Sequence, residues 1–152
     1  MNLSHFTDAA TLEVRSVEQR ARYEMKPRGL WVSVDGPDDW PSWCASEQFR
    51  DTDSQNRFRV TLADDANILV IATAAELDAF DAEYGDAVNG LELIEWTLVA
   101  ARWQGIIIAP YQWVRRNGKL WYYGWDCASG CIWDASAIAS VKPVEVDAEA
   151  VA

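Results

Sequence analysis

The chain has 152 residues, half of them hydrophobic, which is enough for one domain with a real core and excludes a disordered chain. Its formal net charge of −11 repels phosphate backbones, so nonspecific binding to duplex DNA is not expected. The longest apolar runs, such as GIIIAPY, are far too short to span a bilayer, and no membrane partner is expected.

The first segment, Asn2 to Phe6, reads as a short strand. Thr11 to Val17 is ambiguous: Leu12 and Val14 alternate as in a strand, while the following polar residues favour a helix. Lys26-Pro27 ends whatever precedes it, because proline disfavours helix in the residue before it. Leu30 to Val34 is β-rich and predicts a central strand, closed by a turn at Gly36-Pro37. Asp38 or Asp39 then caps a helix with Pro41 in its first turn, running to about Phe49 with Trp40, Trp43 and Cys44 on one face.

Phe58, Val60 and Leu62 alternate as a strand. Asp64-Asp65 turns the chain, and Ile68 to Ile71 reads as the returning strand of a hairpin. Thr73-Ala-Ala-Glu76 is a capping box for a helix that buries Leu77, Phe80 and Tyr84 and stops at Gly85. Ile94 to Trp103 predicts another helix, closed by Gly105, and Ile106 to Ala109 a buried strand. Asn117-Gly118 reads as a hairpin turn before a strand from Lys119 to Trp125, with a further strand from Cys131 to Trp133. The fold class expected is α+β: a single domain over 1–144, a short-stranded mixed or antiparallel β core with inserted helices, and a flexible acidic tail over 145–152.

Nine tryptophans are many for this length, and tryptophan is rarely wholly buried because its ring N–H needs a partner. Some of them should therefore line a groove. Charge is uneven: nine acids and no Lys or Arg lie between Val60 and Ala101, against five bases and two acids between Arg15 and Arg28. The acidic block reads as a solvated helical face or as a partner surface. Cys44, Cys127 and Cys131 are odd in number, and the start MNLSHFTDAATLEV has neither the basic residues nor the apolar core of an export signal. Reduced thiols in a cytoplasm are the expectation.

Among candidate chemistries, His5 with the three cysteines makes a Cys₃His set only on paper, because zinc sites show tight paired spacings and this chain has one loose pair. No metal is expected. No nucleophile elbow, P-loop or dinucleotide-fold glycine fingerprint is present. Asp126 and Asp134 are the acids that stand out in apolar strand surroundings.

Three segments, in order, resemble motifs of the ADP-ribosyltransferase superfamily. Leu3-Ser-His5-Phe6-Thr7 is similar to its first motif, a strand ending in His followed by Thr or Ser. Gly29-Leu30-Trp31-Val32-Ser33 is similar to the second, a strand followed by a short helix, and DDWPSWCASEQF falls where that helix would lie. Ile132-Trp133-Asp134-Ala-Ser-Ala-Ile138 is similar to the closing segment. The resemblance covers both ends of the chain and little of its middle.

It implies NAD as the bound substrate, with His5 and Thr7 on the ribose side and Trp31 stacked on nicotinamide. Gly29 and Ser33 would complete that strand, and Lys26 and Arg28 would meet the pyrophosphate. The family's usual catalytic Glu position falls on Ser129, which cannot supply its negative charge. Asp126 or Asp134 would substitute from a neighbouring position, or the site would work without a carboxylate as in the tRNA 2′-phosphotransferase branch, or it would bind without turnover. Two functions are therefore expected. One is NAD-dependent mono-ADP-ribosyl transfer to an unknown macromolecular acceptor, or NAD cleavage. The other is a non-catalytic, phage-type accessory protein whose acidic face binds a basic partner. WYYGWDCASGCIWD, the densest aromatic cluster, is expected to lie beside GLWVS.

Overall fold

A computed structural model describes residues 1–145 of the chain. The strands are β1 (Leu3–Thr7), β2 (Tyr23–Glu24), β3 (Leu30–Val34), β4 (Asn56–Leu62), β5 (Ile68–Ile71), β6 (Gly85–Val88), β7 (Leu91–Glu95), β8 (Gly105–Ile108), β9 (Ser129–Ile132) and β10 (Ile138–Pro143). The α-helices are α1 (Trp40–Ser46), α2 (Ala74–Tyr84), α3 (Trp96–Arg102) and α4 (Leu120–Tyr123), joined by single 3₁₀ turns at Thr52–Ser54, Trp113–Arg115 and Ala135–Ala137. The architecture is α+β, as the sequence predicts. The tail expected to be flexible lies, from residue 146, outside the described residues.

Seven strands form one sheet in the order β10-β4-β1-β3-β9-β8-β5, and β2, β7 and β6 form a second. In the large sheet only β5 and β8 pair in parallel. Its centre is buried throughout: β8 and β9 have no exposed residue. Ile106, Ile107 and Ile108 pack with Leu77 and Phe80 of α2, Val99 of α3 and Trp121 of α4 in one hydrophobic core. The helix starts follow the expected chemistry. Asp39 accepts from the Ser42 N–H at the head of α1, and Thr73 accepts from the Glu76 N–H at the head of α2.

Several expectations are corrected. Ile68–Ile71 is not the return strand of a hairpin with β4; it lies at the opposite edge of the sheet, beside β8. Parallel pairing requires a long crossover, and the chain from α2 to α3 supplies it. The predicted helix from Ile94 to Trp103 divides into β7, which ends at Glu95, and α3. Gly105 opens β8 rather than merely closing a helix. The predicted strand from Lys119 to Trp125 is the short helix α4, whose Trp121 and Tyr122 are wholly buried. Asn117-Gly118 lies in a turn, but leads into α4 and not into a hairpin. Thr11 to Val17 is neither strand nor helix, and α1 stops at Ser46, before Phe49. The second sheet was not foreseen.

Two central strands of the large sheet part from one another. β1 and β3 pair only at Leu3↔Val34 and Ser4↔Ser33. Beyond those residues β1 stays with β4 as far as Thr7↔Asn56, while β3 stays with β9 as far as Leu30↔Ile132. The two central strands therefore diverge. The β3–β9 ladder also sets GLWVS against the aromatic segment, as expected, with Trp31 opposite Cys131 and Ser33 opposite Ser129.

Candidate functional site

A cleft of about 300 Å³ opens where β1 and β3 part. It brings together His5, Lys26, Trp31, Ser33, Asp126 and Ser129, which the sequence singles out from three distant segments. Trp40, Arg50, Gln55, Trp125 and Cys127 also line it.

Each wall is held by a specific contact. The imidazole of His5 bridges the diverging strands, its Nδ1 lying 2.6 Å from the Trp31 carbonyl oxygen. A carbonyl only accepts, so Nδ1 carries a proton and donates it to Trp31. Trp31 meets Trp125 edge-on at 5.0 Å between centroids, with Lys26 Nζ 5.5 Å from the Trp31 ring. Ser33 Oγ accepts from the Trp40 N–H at 2.8 Å, tying β3 to the first turn of α1. Beside the cleft Asp35 takes Ser4, Arg57 and Arg59 as partners. Burial alone would raise the Asp35 carboxyl; Ser4 and the two guanidiniums outweigh it and hold the group below its usual value.

The charged groups of the cleft behave differently. Lys26 and Arg50 form no salt bridge among the described residues, although the chain carries an excess of acids. Asp126 is partly buried, and that burial pushes its carboxyl up; Lys26 and Arg116 pull it back, and Glu47 adds to the rise. Cys127 is a buried thiol pushed up to about 12, chiefly by burial, so it is not a thiolate near neutral pH. Ser129 is buried and donates to the Cys127 carbonyl at 2.9 Å, which commits its proton.

The remaining predicted residues lie elsewhere. Thr7 Oγ1 accepts from the Ala9 N–H and closes a turn. Arg28 is exposed, and its backbone N–H and carbonyl are both held by the Gln19 side chain. Gly29 does allow a close approach, but of its own neighbouring strand. Its φ is +153°, and a Cβ there would sit 2.5 Å from the Ile132 carbonyl oxygen. Asp134 caps the 3₁₀ turn at Ala135–Ala137 by accepting from Ser136, and also takes a bond from Gln104. Those bonds, led by the Ser136 hydroxyl, hold its carboxyl below the usual value. Asp134 is thus a structural cap, which leaves Asp126 as the carboxylate of the cleft.

The sequence gives Arg50 and Gln55 no role, and marks Trp40, Cys127 and Trp125 only as a helix-face residue, a thiol and a member of the aromatic cluster. Arg50 and Gln55 lie between α1 and β4 in a stretch without periodicity, and only the fold brings them in. A wide surface groove of about 690 Å³, lined by Phe49, Asp51 and Asp53 among others, shares Arg50 with the cleft.

No group of three or more His, Cys, Asp or Glu side chains among the described residues is placed to hold a metal ion. No helix among them is long and apolar enough to cross a membrane. No family model, curated protein or solved structure matches the chain.

Proposed function

We propose that the cleft binds NAD and that the protein is an NAD-dependent mono-ADP-ribosyltransferase-like enzyme, transferring ADP-ribose to an acceptor or to water. The observation that carries this reading is the pair of unpaired cations, Lys26 and Arg50, on a tryptophan-lined cleft that also holds a half-buried carboxylate. Cations left unpaired in an acidic protein favour an anionic ligand such as a pyrophosphate. The Trp31 ring offers a flat surface for nicotinamide, and its attraction for Lys26 is the attraction it would exert on a cationic pyridinium. His5 Nε2, the ring nitrogen not engaged with Trp31, suits a ribose hydroxyl, which can donate or accept.

The chemistry asked of the site is limited. As the bond between ribose and nicotinamide breaks, positive charge grows on the sugar and nicotinamide leaves neutral. An ionised Asp126 would stabilise that charge in surroundings that exclude water. The buried, engaged Ser129 hydroxyl would hold the loop that carries Asp126. The cleft's volume suits the nicotinamide-ribosyl half, and the groove past Arg50 would carry the remainder.

The acidic-face alternative has less to stand on. On α2, Asp78 pairs with Arg115, Asp81 bonds the Trp121 ring N–H and meets Lys119, Glu83 pairs with Arg102, and Glu76 bonds Thr73. Three of those four carboxylates are paired with cations of the chain itself.

Tryptophan fluorescence titrated with NAD, in wild type and Trp31→Ala, tests the proposal. Saturable quenching that the substitution abolishes is expected, followed by nicotinamide release on incubation. No spectral change at millimolar NAD would reject it.

A further inference from the structure

We infer that Trp113, Val114, Arg116 and Tyr123 form a docking surface for a partner protein, which seats a carboxylate on Arg116 beside an apolar side chain. Trp113, Val114 and Tyr123 are exposed, at 57%, 76% and 53%. Arg116 joins them. Its guanidinium carbon lies 5.6 Å from the centre of the Trp113 ring, 5.9 Å from that of Tyr123 and 5.8 Å from that of the buried Tyr111. Scattered exposed apolar residues are ordinary, whereas a contiguous group marks an interaction site.

The surface is held ready. Trp113 Nε1 donates to Asp38 at 3.2 Å, and Arg116 donates to the Tyr111 hydroxyl at 3.3 Å. That hydroxyl donates in turn to the Trp125 carbonyl at 2.7 Å, which ties the surface to the wall of the cleft. Side chains ordered before contact lose less entropy on binding. Two neighbouring arginines are treated differently here. Arg115 is paired with Asp78, whereas Arg116 forms no salt bridge among the described residues, in a chain with 24 acids and 13 bases. Most of its N–H donors are left free, and their planar fork matches a carboxylate. Arg, Trp and Tyr are also the residues that dominate binding energy at protein interfaces. Charge decides the class of partner. A nucleic acid binds by having several phosphates neutralised, and this surface offers one free cation on a chain of net charge −11. A protein segment needs only that one. Docking here requires no NAD, so the inference stands apart from the reading above.

A displayed library of random peptides, selected on the intact wild-type protein without NAD, tests the inference. Enrichment of sequences with Asp or Glu next to Trp, Tyr, Phe or Leu is expected. A synthetic peptide of the enriched sequence should bind Arg116→Gln about tenfold more weakly than wild type. Changing the peptide's acid to its amide should weaken binding to wild type equally, and the two changes together should add little more, as for groups in direct contact. Arg116→Lys, which keeps the charge without the fork, should fall between. Trp113→Ala should also weaken binding, with its unfolding midpoint little changed at so exposed a position. Arg115→Gln should bind as wild type does. The inference is overturned by no enrichment, by enrichment of sequences without an acid, or by a peptide that binds Arg116→Gln or Trp113→Ala as tightly as wild type. Binding of a single-stranded oligonucleotide that Arg116→Gln abolishes would also overturn it, by assigning the surface to nucleic acid.

Discussion

Five of the nine tryptophans fall in two regions that treat the side chain differently. In the core beneath the sheet, Trp96 donates to the Glu24 carbonyl, Trp121 to Asp81 and Trp133 to the Trp103 carbonyl. Each of the three is almost wholly buried. Around the cleft, Trp125 is buried with its N–H unmatched and Trp31 is only partly covered. A side chain kept for packing is normally supplied with its hydrogen bond, because an orphan donor costs about 1–3 kcal/mol. The core tryptophans meet that condition. Trp125 does not, and neither does Trp43, which lies outside the lining of the cleft.

The sharpest way to break this contrast is to truncate one tryptophan from each region. Trp121→Ala should cost about 3–5 kcal/mol of stability, since it empties a packed site and leaves Asp81 without its indole partner. Trp31→Ala should cost about 1 kcal/mol, in line with an ordinary half-buried position, while abolishing the response to NAD. Urea unfolding of both variants, read by circular dichroism, measures the difference. Equal losses would mean that Trp31 is core as well, and the two regions would merge.

Next in size is Asp126. Asp126→Asn should lower nicotinamide release about 10²-fold, the usual loss of one preorganised charge at a transition state. Its pH dependence separates it from Asp134. Burial raises the Asp126 carboxyl, so the folded state binds that proton more tightly than the unfolded chain. Its contribution to stability is present below the unfolded pKa and is lost as pH rises through the folded one. Release, which needs the ionised form, should then switch on above the ordinary aspartate range. Asp134 has the opposite sign. Its stabilisation is present above the unfolded value and disappears as acid takes the pH down through the depressed folded value. Unfolding free energies against pH for Asp126→Asn and Asp134→Asn should show the first no less stable than wild type at neutral pH, and the second with a flatter acid limb.

The same division explains what could be read in the sequence. β1, β3 and α1 were legible because local rules fix them: β-branched and aromatic runs, a proline in a first turn, an aspartate cap. His5, Trp31 and Asp126 line one cleft because β1 pairs with β3, and β3 pairs with β9, the strand that follows Asp126. The edge position of β5 was not legible, since Ile68–Ile71 suits any neighbour and its partner lies beyond two helices. Trp121 and Tyr122 sit in a single helical turn with no side-chain cap, held by packing and by distant partners, Asp81 and the Gln112 N–H, so their run of aromatics reads equally well as a strand. Seven residues of helix at Trp96–Arg102 follow directly on β7, and no breaker residue marks the join.

The cations of the cleft test its ligand more gently. Lys26→Gln or Arg50→Gln should each weaken NAD binding about tenfold and lessen its dependence on salt, as expected for partly exposed charge contacts. Neither should change the unfolding midpoint much, because neither side chain has an internal carboxylate to lose. Arg115→Gln is the control outside the cleft: it breaks the pair with Asp78 and should leave NAD affinity unchanged. An equal loss of affinity there would show that net charge, rather than the two unpaired groups, governs binding.

The smallest effect expected is at Ser129, the position where the family resemblance would place a catalytic glutamate. Its hydroxyl donates to Cys127 within the same turn and is almost wholly buried. Ser129→Ala should therefore remove one local hydrogen bond, cost about 1 kcal/mol of stability, and change NAD affinity and nicotinamide release by no more than about threefold, well short of the tenfold that 1.4 kcal/mol would bring. Ser129→Glu is the complementary probe. It sets a long anionic side chain in a packed site beside Asp126, whose carboxyl burial already raises, so it should reduce stability without raising the rate. A faster variant would mean that the position can face the reacting carbon after all, and would transfer to it the role assigned here to Asp126.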